Sequence, residues 1–339
     1  MSKVFDKITD QDLNEINKIL SAAGSSDNKV AIPAQEKLVS AISTPLRQAV
    51  LPGDIVGDLF QIETYAPGTA VEYPIDLIRP GSEGDFIAYT MPDHGEIPMR
   101  RVAGDRLMVP TYRIANSIDC QLRFLRNANW NVVRRMMEVL EAGFISKLND
   151  DAFSTLIQSG VARNIMVYDA DAVQGNFTPR LVSLMKTAMR RNGGGNSTSV
   201  NRGQLTDLYV SPEALDDIRA WNLSLIPDQV RTNIYYASDN GNEIIKIYGV
   251  SLHDIDELGV SQKYQNFYTG TLGKSLSADV ELVIGVDKKN KDSFVMPKVQ
   301  DLQTYEDNTV HRQGLFSLYA DMEIGFACLD ARRVLLGSF

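Results

Sequence analysis

From residue 111 to residue 178 the chain contains no proline, and the apolar side chains in that stretch recur with helical spacing. Ile118, Leu122, Leu125, Asn129, Val132 or Val133, Met136, Val139 or Leu140 and Gly143 stand three or four residues apart, which places them on one helix face. The spacing predicts a helix over 118–148, about 46 Å long at 1.5 Å per residue. Asn129 and Gly143 interrupt the seam a coiled coil would need, so one long helix packed across a sheet is expected. Such a helix demands a large apolar partner surface. A chain of 339 residues, 44% hydrophobic, can supply it. Length alone suggests about two domains.

The region before it, 61–113, differs in character. Residues 71–75 and 86–89 read as strands on either side of a turn cluster, Arg79-Pro80-Gly81-Ser82-Glu83-Gly84-Asp85. A further strand is expected over 106–114. Prolines 74, 80, 92, 98 and 110 exclude a central sheet position, which leaves a long polar hairpin outside any core. Residues 1–60 read as an arm with two short helices. Thr9 caps the first, Ile8 staples onto Leu13, and the stripe Leu13, Ile16, Ile19, Leu20 ends at Gly24. Pro33 is expected to open the second, from Ala34 to about Ser43. Helices this short are marginal alone, so their stripes must be buried on their own domain or on a neighbour.

Downstream, Thr178 caps a helix over 179–191 whose buried face is expected to be Leu181, Leu184, Met185 and Ala188. After a glycine-rich loop the pattern becomes mixed α/β. A strand over 205–210 leads through Ser211-Pro212-Glu213 into a helix. Strands are expected over 244–252 and 265–271. Residues 282–286 and 294–298 are expected to pair as a hairpin around Lys288-Lys289-Asn290-Lys291. The closing strands are 314–319, 323–329 and 332–336.

Catalytic signatures are sparse. His94, His253 and His311 are far apart, and no HExxH, CxxC, EF-hand or G-x-S-x-G motif occurs. The loop Gly270-Thr271-Leu272-Gly273-Lys274-Ser275 approaches a phosphate loop, but Tyr268 stands where its first glycine belongs. His253-Asp254-Ile255-Asp256-Glu257 could be a metal cluster only with a sharp bend, because on a strand His253 and Glu257 face away from Asp254 and Asp256. Asp93-His94-Gly95-Glu96 reads as a polar turn, and the pairs Asp216-Asp217 and Glu306-Asp307 read as helix-face and turn charges rather than an acid/base pair. No enzyme activity, cofactor or metal is expected. Cys120 and Cys328 are too few for a disulfide framework and read as buried thiols. With no signal-peptide pattern and no 18-residue apolar run, a soluble protein of a reducing compartment with no membrane partner is expected.

The order of these parts resembles the major capsid proteins of tailed bacteriophages, the Hong Kong 97-like fold family. The resemblance covers nearly the whole chain. It rests on the arm, the long hairpin, the long helix, the phrase Leu208-Tyr209-Val210-Ser211-Pro212-Glu213-Ala214-Leu215, then Ile247-Tyr248-Gly249-Val250. The closing phrases are Leu282-Val283-Ile284-Gly285-Val286-Asp287, Glu323-Ile324-Gly325-Phe326 and Arg332-Arg333-Val334-Leu335-Leu336-Gly337-Ser338. It implies an α+β fold with an N-terminal arm (1–60), an E-loop (61–113) and a P-domain (114–204) carrying a spine helix (118–148). An A-domain (205–280) and closing strands mostly of the P-domain (281–339) follow. It implies a structural protein that self-assembles as hexamers and pentamers into an icosahedral head around double-stranded DNA. A separate scaffolding protein, a portal and, as in some relatives, a cement protein are the implied partners. The implied place is the virion, assembled in the host cytoplasm. An encapsulin-like nanocompartment shell is the alternative, and a metal- or nucleotide-dependent enzyme a more distant one.

The founding member of that family joins subunits through an E-loop lysine. Here no lysine occurs between Lys37 and Lys147, so no such isopeptide link is expected. The hairpin instead carries Arg79, Glu83, Asp85, Arg100, Arg101 and Arg106, candidates for non-covalent clasps with a neighbouring subunit, because arginine forks onto carboxylates with two hydrogen bonds. The net charge is -9, which argues against tight nucleic-acid binding by the whole surface. Only residues 118–191 are net positive, at +3. Arg123, Arg126, Arg134, Arg135, Arg190 and Arg191 in that segment either face packaged DNA weakly, without sequence preference, or pair with carboxylates of neighbouring elements or subunits.

Overall fold

The computed structural model describes residues 18–23, 25, 29–38, 56–76, 104–121, 123–124, 130–191, 203–221, 238–239, 242–243, 245–276, 280–289, 291–307 and 313–339. In chain order the elements begin with the helices α1 (18–23), α2 (29–38) and α3 (Val56–Leu59). The strands β1 (Gln61–Thr64), β2 (Glu72–Asp76), β3 (Gly104–Met108) and β4 (Tyr112–Gln121) follow. Next come α4 (Trp130–Ala162), β5 (Met166–Val167), α5 (Pro179–Arg191), β6 (Asp207–Val210) and α6 (Pro212–Ala220). Four short strands, β7 (Ser238–Asp239), β8 (Asn242–Glu243), β9 (Ile245–Ile247) and β10 (Val250–Asp254), precede α7 (Lys263–Asn266), which runs into a π-helical turn, Phe267–Thr271. The chain closes with β11 (Leu282–Val286), β12 (Phe294–Asp307), β13 (Leu315–Ile324), β14 (Ala327–Cys328) and β15 (Val334–Ser338).

Two compact units share the chain. The first comprises Met1–Glu72, Met108–Ala152 and Val295–Ala327. Its sheet has the order β1-β12-β13-β4, with β1 parallel to β12 and the other pairs antiparallel. The β13–β4 ladder is ten residues long, from Leu315 opposite Gln121 to Ile324 opposite Tyr112. On β4 the side chains of Ile114, Asn116, Ile118 and Cys120 turn inward while the odd positions stay exposed, the period-two signature of a strand with one buried face. The helix expected over 118–148 therefore begins later, at Trp130, and runs on to Ala162. Ile118 has both helical spacing to Leu122 and strand alternation with Ile114 and Cys120. Pairing along the whole of β13 decides for the strand. Within this unit α4 buries Met136, Met137, Leu140, Phe144, Leu148 and Ala152. Gly143 allows the close approach to β4, since a Cβ there would lie 2.6 Å from Asn116 Nδ2. Tyr112 donates a 2.8 Å hydrogen bond to Asp151, which also holds Lys147 at 2.7 Å, so the helix is tied to the strand's first residue.

The arm helices bury Leu20, Ala23, Ala31, Ala34 and Leu38 within the single chain, and buried Gln35 donates to the Ala23 carbonyl at 2.9 Å. α2 is already helical at Lys29, so Pro33 does not open it. The missing proline N–H removes one bond near the helix start rather than setting its boundary. Residues 61–64, expected in the hairpin, belong to the sheet as β1. β2 and β3 pair as a two-stranded ladder, and Pro110 separates β3 from β4 where one strand over 106–114 was expected.

The second unit comprises Tyr73–Leu107, Phe153–Phe294 and Cys328–Phe339. Its six-stranded sheet has the order β5-β15-β11-β6-β10-β9, and β7 and β8 form a separate small ladder. β11 and β15 are buried at every position, as central strands are. β11 pairs with β15 and β6, not with β12, so the expected hairpin of 282–286 and 294–298 does not form. The turn cluster suggested it, but five consecutive buried residues require partners on both sides. The strand expected over 244–252 is a hairpin, with Tyr248 (φ 51°) and Gly249 (φ 78°) forming the two-residue turn. The strand expected over 265–271 is helical. Its aromatic residues favour strands, yet Tyr264 and Tyr268 are buried four residues apart on one helix face.

α5 spans the expected residues, and its Leu181 amide donates to the Thr178 hydroxyl at 3.2 Å. Its buried face is Leu181, Val182, Met185 and Met189, rotated from the expected set that included Leu184 and Ala188. Ser211 caps α6 through the Ala214 amide at 3.3 Å. Around these helices Phe177, Leu208, Val210, Leu215, Val250, Val283 and Leu335 form one core.

Candidate assembly surfaces

The hairpin candidates divide at the ladder. Arg106 is exposed on β3, whereas Arg79, Glu83, Asp85, Arg100 and Arg101 lie outside the described residues. Of the basic candidates, Arg126 also lies outside them. Arg134 and Arg135 converge on one carboxylate, that of Glu138, at 3.3 and 3.1 Å. Arg123 sits over the Phe124 ring, 5.1 Å from its centroid. Arg190 and Arg191 are exposed in the last turn of α5, where positive charge suits the helix dipole. Arg123, Arg134 and Arg135 belong to the first unit, and Arg190 and Arg191 to the second.

Within the first unit, the end of β4 and the start of α4 enclose an open groove of about 610 Å³. Ile118, Phe124, Val132, Met136 and Val139 give it an apolar floor, and Arg123 and Arg135 stand among its lining residues. Val139 is 43% exposed although it lies on the long helix's apolar stripe. Cys120 lines the same groove, and burial, with the Asp119 charge, pushes its thiol up to about 11.

The residues that suggested enzyme chemistry are engaged otherwise. His253 Nε2 lies 2.7 Å from Asp207 Oδ1, and its ring stacks on Tyr209 at 5.2 Å. Lys288 Nζ is 3.2 Å from the same carboxylate. Burial raises the Asp207 carboxyl, but the hydrogen bonds from His253 and Thr206 and the Lys288 charge outweigh it and hold the group below its ordinary range. This is a strand-to-strand tie between β10 and β6. Among the described residues no three His, Cys, Asp or Glu side chains gather as a metal site, and no helix is long and apolar enough to cross a membrane. The Gly270–Ser275 segment closes a helical turn. Gly273 (φ 61°) turns the chain, and Lys274 N–H donates to the Tyr268 carbonyl at 3.2 Å. A helix C-terminus presents carbonyls, which repel phosphate.

One site was not foreseen from the sequence. Asp287 is fully buried and accepts from Arg333 Nη1 at 2.8 Å and from the amides of Gln204 and Lys289, each at 3.0 Å. Asp330 in turn caps the turn before β15 through the Arg332 amide and takes two further hydrogen bonds from the Arg332 guanidinium. Burial raises the Asp330 carboxyl, and the bonds and charge of Arg332 and the charge of Arg333 more than reverse this. Two arginines opening an apolar strand, Arg332-Arg333-Val334-Leu335-Leu336, were the available signal.

No protein-family model matches the sequence, and no curated protein matches it. Solved structures do match. A chain from Microbacterium phage Oxtober96 aligns over 84% of this chain and 90% of its own length, at a TM-score of 0.53 and 10% identity. A chain from the capsid of Myoviridae phage XM1 aligns over the same shares, at 0.52 and 10%. A chain from the capsid of a native GTA particle aligns over 86% and 90%, at 0.52 and 13%. This chain has the Hong Kong 97-like capsid fold. At 10 to 13% identity, what the Hong Kong 97-like structures share with it is the arrangement of elements rather than side chains. The fold thus accounts for a long helix, a separate two-stranded hairpin ladder and two larger sheets in one chain.

Proposed function

We propose that this chain is the major capsid protein of a tailed bacteriophage, a structural subunit with no catalytic step. It assembles as hexamers and pentamers into an icosahedral head around double-stranded DNA. The observation that carries this reading is the extent of the match to chains from phage XM1 and GTA capsids, 84% or more of this chain and 90% of each of them. A shell of this kind gains stability from many weak contacts repeated by symmetry. Residues 1–60 serve as the arm, the hairpin from β2 to β3 within 61–113 as the E-loop, 114–204 with β1 and the closing strands as the P-domain, and 205–280 as the A-domain. Scaffolding protein, portal and cement protein are its proposed partners, the virion its place, and the host cytoplasm the site of assembly.

Electron microscopy of the purified protein, with light scattering on the same sample, tests this. Closed shells of megadalton mass are expected, filled with DNA when the packaging genes are present. Protein cargo in place of DNA would favour the nanocompartment alternative. Small uniform oligomers that persist when the scaffolding gene is co-expressed would overturn the shell role.

A further inference from the structure

We propose that the six-stranded sheet of the second unit makes a head-to-tail contact with the same sheet of a second copy, its basic end seated on the acidic end of the neighbour. The proposal rests on the capsid reading and names the surfaces on which a ring of subunits closes. β10 runs between the two ends. At its start Tyr248 and Gly249 form the β9–β10 turn, and Lys246 lies opposite Ser251. β6 starts and β11 finishes at the same end, since Asp207 is opposite both Ser251 and Val286. That end gathers Lys186, which donates to the Tyr248 carbonyl, with Lys246, Lys288 and Lys289. Asp207 lies among them and already holds His253 and Lys288.

At the finish of β10 the sign reverses. Asp254, Asp256 and Glu257 are exposed there. Glu213 joins them, because a Cβ at Gly259 would lie 3.2 Å from its Oε2. Lys263, at the start of α7, offsets a single one of these charges. The five residues of β10 at ~3.3 Å each put the two ends ~17 Å apart. Screening at physiological salt acts over about 8 Å, so the ends do not cancel within one copy. Between copies they can meet. Like ends repel, which disfavours a two-fold contact through either end. Opposite ends attract, and a repeated head-to-tail contact closes a ring when its rotation divides a full turn.

Each end also carries apolar surface. Tyr248 is 57% exposed and Val260 50%. Tyr248 adopts φ 51°, a region that glycine or asparagine enters readily and a bulky ring does not. A strained, exposed aromatic at a hairpin tip gains nothing for an isolated subunit. Buried against a neighbour, it is the anchor that the charges orient. A polyanion would satisfy the lysines, but it would leave the ring in water and give the acidic end no role.

Charge exchange in the full chain tests the pairing, with native mass spectrometry for rings and electron microscopy for shells. Lys246→Glu with Lys289→Glu, and separately Asp256→Lys with Glu257→Lys, should each raise the protein concentration needed for assembly by about tenfold or more. All four substitutions together should restore assembly, which separates lost pairing from misfolding. Tyr248→Gly removes the anchor and the strain together. It should keep or raise the thermal midpoint of the dissociated chain and still weaken assembly, whereas a purely structural tyrosine would lower that midpoint. Assembly indifferent to both reversals overturns the proposal. Loss at the basic end that the acidic exchange does not repair would assign the lysines to a polyanion and overturn it as well. Shells from the unaltered chain with either of those results leave the capsid reading standing. No ring or shell from the unaltered chain would overturn both.

Discussion

Asp287 and Arg333 show how one buried charge is kept in place. The carboxylate has no solvent exposure and the arginine is 5% exposed, so neither can be solvated if the other is lost. Removing Asp287 leaves the buried guanidinium with only the longer contact to Asp330, at 3.6 Å, and breaking a buried pair costs about 3–5 kcal/mol. Asp287→Ala should therefore lower the free energy of urea unfolding by roughly that amount, whereas Arg135→Ala, at an exposed pair, should stay within about 1 kcal/mol. Glu306 acts in the opposite sense. Burial, and next the nearby Glu36 charge, push its carboxyl up to about 7. Its protonated form favours the folded state, so its contribution is full below the ordinary value of 4.5 and is lost as pH rises to about 7. Thermal unfolding followed from pH 4.5 to 8 should show this decline, and Glu306→Gln should flatten it. Asp207, held low, has the reverse sign, and its contribution is lost only on strong acidification.

At the level of elements, α4 is where helix and sheet meet most tightly. A Cβ added at Gly160 would lie 2.5 Å from Leu336 Cγ on β15, inside a packed side chain that cannot swing away. Gly160→Ala should destabilise the chain by about 1–3 kcal/mol through overpacking, by chemical denaturation. Gly143→Ala should be milder, because its obstacle is the mobile end of Asn116. These helices also show which features were readable in advance. The limits of α5 and the Ser211 cap of α6 were legible, because caps and proline act locally. The start of α4 was not, because Ile118 obeys two periodicities and only the ten-residue pairing with β13 chooses between them. The π-helical turn after α7 escaped for the same reason, since aromatic residues favour strands until Tyr264 and Tyr268 are buried on one face. The groove between β4 and α4 was legible only as an excess of arginine. Its apolar floor comes from two elements that sequence spacing had merged into one.

For the whole molecule, the decisive question is how copies hold together. The hairpin region offers arginines and carboxylates, and between Lys37 and Lys147 no amine nucleophile at all. An isopeptide bond forms when a lysine amine displaces ammonia from an asparagine side chain, and guanidinium, protonated at every physiological pH, cannot replace it. If the proposed shell forms, its hairpins must therefore bind by hydrogen bonds, ion pairs and apolar burial. Such contacts are individually reversible, and the charged ones are screened by salt. Mature particles boiled in detergent should consequently run as a single monomer band, with no ladder of multiples. The intact particles should release subunits at lower denaturant concentration in high salt than in low salt. A ladder would mean that covalent joining uses a lysine elsewhere, such as Lys147 or Lys288, and would overturn the account of the hairpin as a non-covalent clasp. A single band with no salt dependence would instead assign the cohesion to apolar burial and remove the arginines from the argument.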